Sequence, residues 1–477
     1  MMKRRAKIVC TIGPASRQRL RELIEAGMDV ARLNFSHGTH AEHAEVIADI
    51  RRLSKEMNRP VAILQDLQGP KIRTGRLADG PVALQAGQSF TITTEEIIGD
   101  ASRVSTTYEP LPRDVEAGDE ILLSDGLLRL VVRRIEGTEV ECEVLDGGSL
   151  RERAGINLPG ADLSVPSMTE KDREDLAFGI AQKVDFVALS FVRKAADIAE
   201  LKELLQRADA PIGAVAKLEK PQAIEDLDAI VAATDVVMVA RGDLGVELSP
   251  ERVPAVQKRI IRAAVQAGKP VITATQMLES MIEHPRPTRA EASDVANAVF
   301  DGTDAVMLSG ETAVGEYPVA VVKMMDRIVR EAESELEFSP DHRRRRKSDE
   351  LPLDFSDAIA DAAGRVADDI QAAAIVAFTQ SGFTAQLISK YRPAHPVFAF
   401  TAQDRVLSRL CLNWGIYPRR TDFVADTDEM VEKIDAMLCA EGQVKAGDNL
   451  VILAGMPLTQ RGTTNLLRLH RVGTPLT

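Results

Sequence analysis

"AVAKLEKPQAI", residues 214–224, decides how the chain is read. A run of small apolar residues ends in Lys217 and Glu219, and Pro221 follows at once. Strand side chains alternate between faces, so residues two apart point the same way. Pro221 suits the first turn of a helix. The stretch reads as a buried strand that aims an ammonium and a carboxylate at one space and then gives way to a helix. The pattern recurs in "KIVCTIG" (7–13), "VARLNFSH" (30–37), "AILQDLQG" (62–69) and "VDFVALSFV" (184–192). It continues in "IGAVAKLEK" (212–220), "VVMVARGD" (236–243), "PVITATQ" (270–276) and "AVMLSGET" (305–312). Helices fit between most of these runs. "THAE" (39–42) and "TEKD" (169–172) are capping boxes, and 251–269 has helical apolar spacing up to Gly268.

Eight strand–helix units predict a (β/α)8 barrel, whose site lies at the C-terminal ends of the strands. Those ends carry Arg32, Asn34, Ser36, Asp66, Lys217, Glu219, Arg241, Asp243, Thr275, Ser309 and Glu311. Lys217 and Glu219 would then face a polar mouth, not the apolar core. Residues 1–69 and 168–340 make up the barrel. The segment 70–167, rich in Thr, Val and Leu with hairpin signals "SDGLL" and "EGTEV", reads as an inserted small β-barrel lid domain. Residues 341–354 read as a linker, and the basic run Arg343–Lys347 within it as a solvated loop. From 355 to 477, "AAAIVAFTQ", "PVFAFT" and "NLVILAG" alternate with helical stretches, as in an open α/β sheet.

Composition narrows the function. The chain has 477 residues and a net charge of −13, which argues against nucleic acid or acidic membrane as partner. Cys10, Cys142, Cys411 and Cys439 lie far apart, with no CxxC pair. They suggest a reducing compartment and no zinc or disulfide framework. The N-terminus has no signal-peptide pattern, and no apolar run reaches the ~20 residues of a membrane span. The expected location is the cytoplasm.

The strand-end residues suit phosphoryl chemistry. Glu219 and Asp243, on neighbouring strands, fit a Mg2+ ion, which takes few protein oxygens and completes its shell with water and substrate. The plainer alternative is ion pairing with Lys217 and Arg241. Arg32 and Lys217 are candidate anion clamps for a phosphoryl group. Free amides in "ARGDLG" (240–245) could hold a carboxylate or phosphate. There is no GxxxxGK[ST] and no GxGxxG, which excludes a Walker loop and a dinucleotide fold. His37, His40 and His43 stand three apart, but the capping box accounts for the segment better than a metal face does.

These motifs resemble those of the pyruvate kinase family. The resemblance rests on "RLNFSHGTH", "LQGPKIRTG", "GINLPG", "LSFVR", "AKLEKPQAI", "VMVARGDLGVE", "TATQMLESM", "TQSGFTA" and the long run "PRPTRAEASDVANAVFDGTDAVMLSGETAVGEYP" at 285–318. It implies transfer of the phosphoryl group of phosphoenolpyruvate to ADP. It further implies that Lys217 stabilises the transferring group and Arg32 clamps it. Glu219 and Asp243 would hold Mg2+ (Mn2+ may substitute), and Gly242, Asp243 and Thr275 the substrate carboxylate. Asn34, Ser36, His37 and Arg73 would lie near the ADP phosphates. The C-terminal domain would hold a phosphorylated small-molecule effector at Thr379, Ser381, Gly382 and Thr384, with "QRGTTN" (460–465) opposite. A homotetramer is expected. Where the family usually has a lid Lys before the "GIN" glycine, this chain has Ala154, with Arg151 and Arg153 nearby.

Potassium-requiring members bind K+ through the equivalents of Asn34, Ser36, Asp66 and the Leu67 carbonyl, with Thr-Lys at 67–68 and Glu at 71. Here those positions hold Leu67, Gln68 and Lys71. An ammonium 4 Å from K+ is repelled by about 4 kcal/mol at an effective dielectric of 20. The change resembles the potassium-independent bacterial-type branch, for which K+ is not required; the plainer alternative is a solvent-facing Lys71. Two rivals are a Mg2+ barrel lyase or mutase acting on an enolpyruvate carbon, and a non-catalytic effector-binding relative. The first needs neither insert nor C-terminal sheet. The second should have lost one of Lys217, Glu219, Asp243 or Thr275.

Overall fold

All eight apolar runs become strands of one closed parallel barrel: Lys7–Thr11, Val30–Asn34, Ala62–Asp66, Phe186–Leu189, Gly213–Leu218, Val236–Ala240, Val271–Ala274 and Ala305–Leu308. The structure is a computed structural model and describes residues 4–161, 164–338, 354–422, 427–456 and 463–474. The linker up to Leu353, its basic run, and 460–462 of "QRGTTN" lie outside the described residues. Val, Ile, Leu and Ala dominate the strands because each is covered on both faces. Outward side chains such as Ile8, Leu33, Ile63 and Val239 pack under the surrounding helices. Inward ones such as Val9, Leu64, Val215 and Met238 fill the interior.

The expected caps form. Thr39 and Glu42 bond reciprocally at the start of helix His40–Glu56, and Thr169 and Asp172 at helix Glu170–Ala181. Two of the three histidine rings are used locally: the His40 ring stacks on Phe178 and lies 2.7 Å from Asp175, and the His43 ring stacks on Phe35 with its Nε2 3.0 Å from the His37 carbonyl.

The insert has its own apolar core around Phe90, Ile92, Leu130 and Val140. Six strands form one sheet, in the order Ile156–Asn157, Glu120–Leu123, Leu128–Glu136, Glu139–Asp146, Ser89–Thr93, Arg103–Ser105. Both hairpin signals fall at turns between antiparallel neighbours. A two-stranded sheet pairs Val82–Leu84 with Gly148–Leu150.

The C-terminal sheet runs Ile416–Arg420, Val397–Thr401, Ala374–Phe378, Asn449–Ala454, Leu466–Arg471, with only the last strand antiparallel. It packs against the N-terminal end of the barrel. Cys411 and Leu412 join the barrel's interior cluster from below. Around them, Arg392 meets Asp304 with two short bonds, 2.7 and 2.8 Å, and Asp304 also accepts the amides of Val271 and Trp414. Buried Lys7 donates to the Ile416 carbonyl at 2.6 Å and lies over the Tyr417 ring.

Candidate active site

The ladder between the second and third strands sets Asn34 beside Asp66, and the fifth strand brings Lys217 to the same mouth. The Lys217 ammonium lies 2.9 Å from Glu219 Oε1 and 3.3 Å from Asp66 Oδ1, and donates to Ser190 Oγ at 2.7 Å. Arg32 Nε donates to Asp66 Oδ2 at 2.6 Å, and its Nη1 to Thr11 Oγ1 at 2.9 Å. Sequence reasoning missed Thr11 and Ser190, although both stand where a strand ends. It also missed Phe191, whose amide donates to Glu219 Oε2 at 2.7 Å from a backbone with φ 54°.

The charges are strongly coupled. Burial opposes the Lys217 ammonium, but Asp66 and Glu219 outweigh it and hold its pKa above the usual lysine range. Burial also opposes ionised Asp66, yet Lys217 and Arg32 keep it below the usual carboxylate range. Glu219 goes the other way. Burial lifts it, Lys217 offsets only part of that, Asp243 adds repulsion, and it is pushed up to about 7. Glu219 Oε1 and Asp66 Oδ1 are buried and accept no well-directed hydrogen bond. Beyond the Lys217 ammonium they meet no donor among the described residues, and such carboxylate oxygens fit a hard divalent cation. Among the described residues no group of three or more His, Cys, Asp or Glu could hold a metal. A cation here would rest on Glu219 and Asp243 and take its remaining oxygens from substrate and water.

Opposite, Thr275 has φ 68° and Gln276 φ 52°, a strained conformation for a β-branched residue. Arg241 braces this turn. It bonds the carbonyls of Ala274 at 3.2 Å and Thr275 at 2.6 Å, and pairs with Asp294 at 2.7 Å. The strand-end reading placed Arg241 in the mouth; the structure uses it as a support. Glu311 is likewise turned into backbone, accepting the amides of Leu278 and Ser309. The Gly242 amide, expected free, donates to Thr275 Oγ1 at 2.7 Å. Gly242 and Asp243 lie in the first turn of helix Arg241–Glu247.

A cleft separates the barrel mouth from the insert; Lys71, Asn157, Phe191, Lys220 and Asp243 line it. The insert reaches the barrel through Asn157, which donates to Glu247 at 3.0 Å, and Glu247 is held by buried Lys220 at 2.5 Å. Ser36 is tied to Asn34, its amide 3.1 Å from Oδ1, and His37 is exposed. Arg73 sits on the insert and donates to the Arg153 carbonyl. Lys71 is exposed, and the cations paired with Asp66 are Lys217 and Arg32. Ala154 exchanges two bonds with Thr74, and Arg153 beside it is exposed.

In the C-terminal sheet the first strand, Ala374–Phe378, lies between the second and fourth. The loop after it is therefore at the topological switch point, where open α/β sheets bind ligands. Thr379 Oγ1 there accepts the Gly382 amide, and Thr384 is buried against Thr464 at 2.8 Å. This brings "TQSGFTA" and the end of "QRGTTN" together. Ser381 is the exposed member of the set.

A closed parallel barrel with a buried ammonium, guanidinium and carboxylate cluster at its C-terminal mouth, under an inserted β unit, defines a barrel enzyme built for an anionic substrate. Comparison with known proteins makes this particular. Residues 3–322 match the family model of the pyruvate kinase barrel domain, and residues 357–470 that of the pyruvate kinase alpha/beta domain. The pyruvate kinase of Geobacillus stearothermophilus is 48% identical over 474 residues, covering 98% of this chain and 80% of the relative. That of Mycobacterium intracellulare is also 48% identical, covering 99% of each. A crystal structure of a pyruvate kinase from Cryptosporidium parvum superposes with a TM-score of 0.92 at 38% identity, covering 98% of this chain and 96% of that one. The chain belongs to the pyruvate kinase family and is a phosphotransferase. Among the described residues no helix is long and apolar enough to cross a membrane.

Proposed function

We propose that the chain transfers the phosphoryl group of phosphoenolpyruvate to ADP, giving ATP and pyruvate, with Mg2+ held by Glu219 and Asp243. The observation that carries this reading is the convergence of Lys217, Arg32, Asp66 and Glu219 in one buried cluster at the barrel mouth. Two anions must be aligned and their repulsion offset, so positioning and fixed positive charge do most of the catalysis. Lys217 contacts the transferring phosphoryl group and stabilises the charge it spreads in the transition state. Arg32, fixed by Asp66 and Thr11, clamps the same group. Thr275 and the amides of Gly242 and Asp243 hold the substrate carboxylate; the Thr275–Gly242 bond must open for this. Thr275 also lies on the path by which the enolate carbon gains its proton. When bound, Mg2+ supplies Lewis-acid neutralisation of phosphate and carboxylate oxygens. Asn34, Ser36, His37 and Arg73 lie toward the ADP phosphates, and the insert closes to exclude water. The test is a coupled assay with ADP, phosphoenolpyruvate and Mg2+; absence of pyruvate formation would overturn the assignment. An enolpyruvate lyase or mutase would turn over without ADP.

The same reading extends to the monovalent cation. Lys71 places an ammonium five residues after Asp66, in the strip that borders the mouth. Near-full activity is expected when K+ and NH4+ are replaced by a bulky organic cation, and partial K+ dependence in Lys71→Glu. A tenfold or larger activation of the unmodified enzyme by K+ rules this out.

Regulation belongs to the C-terminal sheet. Its switch-point loop, with exposed Ser381 and Gly382 at φ 93°, supports a phosphate nest. A phosphorylated metabolite bound there is expected to lower the KM for phosphoenolpyruvate in a cytoplasmic homotetramer. Screening sugar phosphates and nucleotides at low substrate, on the unmodified chain and on Ser381→Asp, measures it. An activation that survives the substitution unchanged places the site elsewhere.

A further inference from the structure

A second polar cleft, about 300 Å3 in volume, lies between the N-terminal face of the barrel and the C-terminal unit. Asp235 and Lys269 line it from the barrel side. Asp357, Gln386, Lys390 and Arg409 line it from the other. Its charges do not balance locally. Asp235 is paired with Lys202 at 2.9 Å and also accepts the Ala214 amide. Asp357 is paired with Lys390 at 2.9 Å and accepts the Tyr391 hydroxyl. Lys269 donates to a neutral group, the Thr234 carbonyl, at 2.8 Å. Arg409 Nε is buried and has no hydrogen-bond partner among the described residues. The nearby carboxylate of Asp185 is taken by Arg51 at 2.9 Å. The cleft therefore holds a guanidinium and an ammonium whose neighbouring carboxylates, Asp185 and Asp235, are already paired with Arg51 and Lys202, and the volume suits a small ligand. A buried donor without an acceptor is costly and marks a missing partner.

We propose that this cleft is a binding site for a small phosphate-bearing anion, separate from both the barrel mouth and the loop at Ser381, with Arg409 and Lys269 as its anchors. Arg presents a planar fork to phosphate oxygens and Lys a point charge. Occupancy would bridge the barrel to helix Phe383–Lys390, which begins at the switch-point loop and whose residues Phe383, Gln386 and Lys390 line the cleft. Trp414, the chain's one tryptophan, follows the lining residue Asn413 and offers a fluorescence reporter.

The experiment is calorimetric titration of the full chain with glycerol 3-phosphate and, separately, inorganic phosphate, followed in parallel by Trp414 emission. The variants are Arg409→Met, Lys269→Met and Ser381→Asp. The expected result is saturable binding that is at least tenfold weaker in Arg409→Met and Lys269→Met and unchanged in Ser381→Asp. The difference between the unmodified chain and Arg409→Met should correspond to one site per chain; binding at the mouth is common to both and cancels. Should Arg409→Met melt well below the unmodified chain, Lys269→Met decides. The proposal is overturned by titrations that are equal in the unmodified chain and both cleft variants, by loss in Ser381→Asp alone, or by no saturable binding at all.

Discussion

Lys217→Met is expected to lower kcat by a hundred- to a thousand-fold or more while the barrel still closes. A charge used in the transition state and fixed in a water-poor site is worth roughly 3–4 kcal/mol, and each 1.36 kcal/mol is about tenfold in rate. The geometry adds a second consequence. Lys217 neutralises Asp66 and Glu219, each 1% exposed at the side chain. Without it Asp66 keeps Arg32, but Glu219 loses its counter-charge. Glu219 is already pushed up to about 7 by burial, so the variant should hold it neutral over a wider pH range and bind Mg2+ more weakly. Activity per folded molecule, with Mg2+ titrated to saturation, separates the two effects. Retention of about a tenth of the activity at saturating Mg2+ would show that the ammonium does not act on the phosphoryl group.

Asp304→Ala is expected to destabilise the chain by about 3–5 kcal/mol, the usual cost of breaking a buried ion pair by removing one partner. Asp304 is 3% exposed and does three things at once. It pairs with Arg392, holds the start of the seventh barrel strand through the Val271 amide, and binds the Trp414 amide. Its loss leaves a guanidinium and two amides to find other acceptors between the barrel and the C-terminal sheet. Denaturant unfolding followed by Trp414 emission and by far-UV circular dichroism measures it. A loss below about 1 kcal/mol would mean that water replaces the carboxylate and that the junction is held by its other contacts, among them Cys411, Leu412 and the Lys7–Ile416 bond.

Both variants probe groups that differ in how far the sequence announces them. Each barrel strand is written locally. An apolar run long enough to cross the barrel wall ends in polar residues, so "AILQD" or "GAVAKL" can be placed without knowing any neighbour. The two capping boxes and the hairpin turns of the insert are equally local, since their bonds span three residues or a single turn. Lys217 and Glu219 were legible for the same reason: alternation at the strand end fixes their side of the sheet, and Asp243 follows the end of the next strand in the first turn of a helix.

What only the tertiary structure decides is who meets whom. Lys217 shares Asp66 with Arg32 across strands far apart in sequence, because barrel closure and register bring their ends together. No local pattern encodes a register. Hence Thr11 and Ser190 went unread as partners, Arg241 proved to be a brace for Thr275, and Glu311 a cap for loop amides. The junction is the extreme case. Nothing in "RLCLNW" (409–414) announces that Cys411 and Leu412 close the floor of the barrel, or that Arg409 is left with a buried, unpaired nitrogen. The sequence by itself determined the units and the chemistry each strand end carries; packing between units determined which charges are paired, which are strained and which still lack a partner.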